Sequence, residues 1–226
     1  MSLIQRKPRP LIRDAASFRD DRLFIIACDD TYAPKQYFDM FRIPRLQIHV
    51  IPATDGKSSA AHVLAGLQDF NHEPDDERWM LLDTDHFVDD THVKAFIDTI
   101  KKAKQQRINV AVSKPCFELW LLLHHEEESA VASLSNAAQV EIALRKKLGS
   151  YNKTNLRKED YPSSFVAEAC QRAERLDKIT QGGDIPSNNT TRVYLLWLAI
   201  VSKALFSQLP GELAGLLRTQ EQPQDR

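Results

Sequence analysis

"RWMLLDTDHFVDD", residues 78–90, sets a short apolar run against two aspartates placed two residues apart. Side chains two apart on an extended segment point to the same side. Asp83 and Asp85 can therefore converge on one cation at a strand end. The same pattern also describes an acidic, solvated turn leading into a helix cap. The flanking sequence supplies the frame for choosing between them.

Upstream lie two strand-like runs, "RLFIIAC" (residues 22–28) and "LQIHVIP" (46–52), and downstream lies a third, "INVAVS" (108–113). Helical spacing fills the gaps at "PKQYFDMF" (34–41), "AAHVLAGLQDF" (60–70) and "THVKAFIDTIKKAKQQ" (91–106). Ser58 or Ser59 suits the cap of the second of these, and Asp89 or Asp90 that of the third. Strands alternating with helices at this spacing predict right-handed βαβ units and a mainly parallel, four-stranded sheet flanked by helices. "PCFELWLLLHHEEE" (115–128) follows, with Pro115 suited to a first helical turn and His124 and His125 to a helix end. Beyond about residue 130 three helical segments follow, at 136–151, 163–180 and 189–206, with no strand expected. The chain thus divides into an arm (1–20), an α/β domain (21–130), a helical extension packed on it (131–218) and a tail (219–226).

With 42% hydrophobic and 27% charged residues in 226, the chain can bury a substantial core. Thirty basic residues against 31 acidic ones give no case for a protein that coats nucleic acid by net charge alone. Cys28, Cys116 and Cys170 are far apart and odd in number, which argues against a disulfide framework or a zinc ribbon and fits a reducing cytosol. The first residues lack a signal-length apolar core. The most apolar window, 193–206, is too short to span a bilayer and carries Lys203. A cytoplasmic protein without a membrane partner is expected.

Ligands of parallel α/β sheets bind outside the carboxyl ends of the strands. Asp29 and Asp30 follow the first strand; Asp83 and Asp85 follow the third. Four carboxylates there form a hard oxygen donor set for Mg²⁺ or Mn²⁺, though acidic residues also mark solvated turns. Other metal and phosphate motifs fail. "DTDHFVDD" carries Phe87 and Val88 where an EF-hand needs a ligand and a glycine. "HHEEE" is not H-E-x-x-H, Ile51 replaces the first Walker glycine before Gly56-Lys57-Ser58, and no G-x-G-x-x-G occurs.

Lys114, read at a helix start, is unfavourable against the helix dipole, and Lys114 to Glu118 is the weaker i,i+4 order. A bound phosphate would give Lys114 a partner, and so would a buried Lys–Glu pair. Lys153, Arg157 and Arg192 stand beside aromatics in "SYNKTNLRK" and "NNTTRVY". That combination suits RNA or single strands, and equally a solvated surface.

"SKPCFELWLLLHHEE" resembles the Asn-Pro-Cys-Phe-Glu-Leu-Trp-Leu-Leu-Leu-His segment of the RloB-like family, Toprim-fold proteins of bacterial defence and restriction-associated loci. "FIIACDDTYAPKQYF", "LLDTDHF" and "IPSNNTTRVYLL" agree in order, so the resemblance spans about residues 20–206. It implies Asp29, Asp83 and Asp85 holding Mg²⁺ for phosphodiester cleavage of RNA or DNA in antiphage defence, with Asp30 as a helper. Glu118 would serve as ligand or general base, and Lys114 would hold the scissile phosphate. Lys114, Lys153, Arg157 and Arg192 would line the nucleic acid. A separate ATPase is the partner implied, and a homo-oligomer is compatible. The family's Cys-Glu-Gly-Glu-x-Thr-Glu-Pro motif reads "CDDTYAPK" here: Asp29 replaces the first Glu and Asp30 the Gly. Lys114 stands where Asn is usual. These departures leave open a catalytically degenerate nucleic-acid-binding or regulatory subunit, and, more weakly, a primase-like transfer activity.

Overall fold

A computed structural model of the chain describes residues 21–54, 57–85, 90–181 and 183–220. The expected arm at 1–20, residues 221–226 of the tail, and Asp89 as a helix cap lie outside the described residues.

The first half alternates as the spacing predicts. Its order is β1 (Arg22–Cys28), α1 (Ala33–Asp39), β2 (Leu46–Ile51), α2 (Ala60–Asp69), β3 (Glu77–Asp83), α3 (Asp90–Gln105) and β4 (Asn109–Lys114). Ser59 caps α2, its side chain accepting from the His62 N–H. β1, β2, β3 and β4 pair in parallel, in the order β2-β1-β3-β4. A parallel sheet is covered on both faces, so its strands read as continuous apolar runs rather than alternating ones. β1 shows how the period of two distributes them. Phe24, Ile26 and Cys28 join one core cluster, while Leu23, Ile25 and Ala27 join the other, with Val63, Leu67, Phe96 and Ile100 of α2 and α3.

The first of these cores belongs to both halves of the chain. After β4 come α4 (Glu118–Leu123), α5 (Glu128–Val131), α6 (Ala137–Leu148), α7 (Ser163–Ile179), β5 (Thr190–Thr191), α8 (Val193–Lys203) and α9 (Gly211–Gln220). Trp120 of α4 and Trp197 of α8 are fully buried, and Tyr37 of α1 packs edge-on against both. Gly149 ends α6 at φ +72°, the left-handed conformation that glycine adopts without a Cβ clash.

Two expectations need correcting. The sheet has five strands among the described residues, because Thr191 and Thr190 pair antiparallel with Ser113 and Lys114. A two-residue strand has no period to detect, and only the returning chain reveals it. Pro115 is not in a helical first turn either. Its peptide bond with Lys114 is cis, Lys114 ends β4, and the helix begins at Glu118. Lys114 and Glu118 are therefore not an i,i+4 helical pair.

Candidate active site

β1 is followed in sequence by β2 on one side and flanked by β3 on the other, so the order β2-β1-β3 reverses direction at β1. Such a switch point opens a crevice at the carboxyl ends of the two central strands. Asp29 follows β1 there, and Asp83 is the last residue of β3.

Backbone donors hold these carboxylates in place. Asp29 Oδ2 accepts from the Asp83 N–H at 2.8 Å, and Asp83 Oδ2 accepts from the Phe117 N–H at 3.0 Å. One bond thus joins the ends of β1 and β3, and the next joins β3 to the entrance of α4. Glu118, the first residue of α4, is buried and accepts a 3.0 Å bond from the Tyr151 hydroxyl. Asp30 is engaged differently. Its Oδ1 accepts from the N–H groups of Tyr32 and Ala33 at the start of α1, and its Oδ2 lies 3.4 Å from Lys153 Nζ. The loop bearing Tyr151 and Lys153 therefore reaches two of the acids from the helical half.

The electrostatics follow from crowding. Burial, reinforced by the charges of Asp85 and Asp30, pushes the Asp29 carboxyl up to about 8 despite its backbone hydrogen bonds. Burial and the neighbouring Asp29 and Glu118 push Asp83 well above the usual carboxylate range. Burial likewise raises Glu118. Burial and the adjacent Glu118 also raise the Cys116 thiol, so it stays protonated and is no nucleophile.

A cluster that retains protons for want of positive charge is a hard-oxygen donor set that a divalent cation would deprotonate. Among the described residues, no three His, Cys, Asp or Glu side chains already converge as a metal-holding group. Mg²⁺ does not require that. It keeps several waters and binds through one or two carboxylates together with substrate phosphates. The donor chemistry of Asp29 and Asp83, joined at the strand ends, fits that mode, with Asp85 two residues further along the chain.

The other expected residues scatter. Lys114 Nζ donates to the carbonyls of Pro186 and Ser187, pinning the chain just before β5. Arg157 forms a bidentate pair with Asp160, at 2.9 and 3.1 Å. Arg192 pairs with Asp177 and donates to the Gly183 carbonyl. Of the four basic residues, Lys153 is the one shown in contact with an acid of the cluster. His124 ends α4, as expected, and is buried there among Tyr37, Trp120 and Tyr161. Sequence reasoning missed the Tyr151–Glu118 bond, because 33 residues separate the partners and no period links them. It also passed over Tyr32, an exposed aromatic beside Asp30.

The family model described as RloB-like protein matches residues 24–200. No curated protein and no solved structure matches the chain. Among the described residues, no helix is long and apolar enough to cross a membrane.

Proposed function

Because the chain belongs to the RloB-like family, we propose that it is a Mg²⁺-dependent nuclease of Toprim-like type, cleaving RNA or DNA phosphodiesters in bacterial antiphage defence alongside a separate ATPase. The observation that carries this reading is the meeting of the half-buried Asp29 and Asp83 carboxylates at the β1/β3 switch point, with the buried Glu118 beside them. Asp29, Asp83 and Asp85 would hold the ion; Mn²⁺ suits the same donors. When bound, the metal activates water and neutralises charge on the phosphodiester. Glu118 supplies a different function. Its burial favours the protonated form, and the Tyr151 hydroxyl fixes its orientation, so it is placed to hold or pass a proton beside the metal ligands.

Lys153 supplies the positive charge nearest Asp30, and in the proposed complex its ammonium turns to a backbone phosphate. Lys153→Met is then expected to weaken strand binding and to lower the slope of log affinity against log salt by about 0.7. An unchanged slope across a salt titration by fluorescence anisotropy would remove Lys153 from the interface.

The alternative, a degenerate binding or regulatory subunit, draws on one observation. Asp30 has one oxygen committed to the start of α1 and the other to Lys153, so it adds little to a metal shell. Calorimetry separates the two. Wild-type protein should bind Mg²⁺ or Mn²⁺ and cleave a strand, and Asp83→Ala/Asp85→Ala should lose both. Negligible binding by wild type and variant alike would end the metal-nuclease reading in favour of the degenerate one.

A further inference from the structure

Beside the acids, between the first turn of α2 and one side of α3, lies a recess of about 290 Å³ with Asp29 and Asp83 among its lining residues. The rest of its wall is small or apolar at Ala60, Ala61, Ala95 and Phe96, with Ser58, Ser59, His92 and Thr99 supplying polar atoms. Among the described residues, no lysine or arginine lines it. Asp29 and Asp83 border the recess as the proposed metal ligands, and away from them its small and apolar walls with hydroxyls at the edge suit an uncharged planar ring. Recognition of a splayed base uses that combination: apolar contact on its faces and hydrogen bonds along its edges.

We propose that this recess is a subsite for one unstacked nucleobase adjoining the phosphate held at the acid cluster, which makes the substrate single-stranded or locally unpaired nucleic acid. The inference rests on the nuclease reading for the position of that phosphate. A base in a duplex is stacked on both faces and cannot enter such a recess without leaving the helix. The acids then read the backbone while the α2/α3 recess reads the presence of a base.

The test uses full-length protein with Ca²⁺ replacing Mg²⁺ and short fluorescein-labelled RNA and DNA strands, each carrying an abasic residue at one successive position. Wild type should bind a single strand more tightly than its duplex. It should also lose about tenfold in affinity when the abasic residue falls at one particular position. Ala95→Trp fills the recess from α3, at an exposed position that tolerates the added volume. It should bind every strand about tenfold more weakly and no longer distinguish the abasic position. The two losses are then non-additive, as for groups that meet at one site. Ala61→Trp, from the opposite wall and also exposed, provides the same reading if the first variant melts early. Equal tolerance of every abasic position by wild type, or full abasic sensitivity in both folded Trp variants, overturns the subsite. Failure of the nuclease reading shows separately, as absence of a Mg²⁺ binding heat and of cleavage in wild type.

Discussion

Asp29→Asn is expected to abolish cleavage while making the metal-free protein more stable at alkaline pH. Under the proposed function the substitution removes a metal ligand, and losing several kcal/mol of transition-state stabilisation corresponds to about a 10³-fold fall in rate. The stability change has the opposite sign. Asp29 titrates at about 8 in the folded protein, against about 3.9 for an unfolded chain. The folded state therefore holds the proton more tightly. The stability from that proton is fully present below about pH 4, declines as pH rises, and is lost beyond about pH 8. At about 1.4 kcal/mol per pKa unit the ceiling is on the order of 5 kcal/mol, and partial exposure of the carboxylate reduces it to roughly 2–4. Asparagine retains an oxygen for the Asp83 N–H and carries no charge to bury. Urea unfolding in EDTA at about pH 6 and about pH 9 measures the effect. Wild type should lose stability across that interval and the variant should not. A variant less stable than wild type at the upper pH would show that the carboxylate is structural, and residual cleavage would show that it is not a ligand.

The second large effect lies at the other end of the pH scale. His124 Nδ1 lies 2.9 Å from the Trp120 carbonyl, which can only accept, so Nδ1 carries the proton and Nε2 accepts from the Tyr37 hydroxyl at 3.0 Å. Burial opposes a second proton and lowers the ring to about 3. Its unfolded value is about 6.5. Here the unfolded chain binds the extra proton first, so the contribution is complete above about pH 6.5 and is lost as pH falls towards about 3. The full loss is on the order of 5 kcal/mol. His124→Leu combined with Tyr37→Phe removes the titration without leaving the hydroxyl unpaired, and should flatten the acid limb of the stability curve below about pH 4, where Asp29 is protonated in both states. An acid limb as steep as that of wild type would assign the transition to other groups. Between about pH 4 and 6.5 the Asp29 and His124 slopes oppose each other. Wild type should accordingly look flatter over that interval than either variant, and the two variants should tilt in opposite directions.

Much of this arrangement was legible in the residues. β1, β3 and β4 are apolar runs bounded by helices, and Asp29 and Asp83 sit at strand ends, where the ligand rule for parallel sheets places a site. Ser59 was readable as a cap because capping is local chemistry. The unreadable parts depend on distant chain segments. Nothing near Thr190 or Thr191 distinguishes a two-residue strand from a loop until Ser113 and Lys114 are seen beside it. Lys114 looked like a cation at a helix start because the cis Lys114–Pro115 bond has no signature in composition. His124 was readable as a helix end but its burial was not, because Tyr37 and Tyr161 come from α1 and the segment before α7 and meet it only by packing. The partners of Asp30, the Tyr32 and Ala33 N–H groups and Lys153, could not be read from the acidic run itself.

The short β5 pairing also bears on how the chain can be divided. The change from alternating strands to helices near residue 130 invites a cut there, to prepare the α/β part alone. Such a fragment would leave the outer edge of β4 without its cover and remove the Thr191 hydroxyl that bonds Ser113 at 2.9 Å. It would also take away the carbonyls that receive Lys114. A bare strand edge beside an uncovered apolar sheet face is a template for pairing with other copies. Two threonines therefore make the boundary visible in the sequence a poor place to sever the polypeptide: the expected product of that cut is an aggregate, with its exposed edge as the seed.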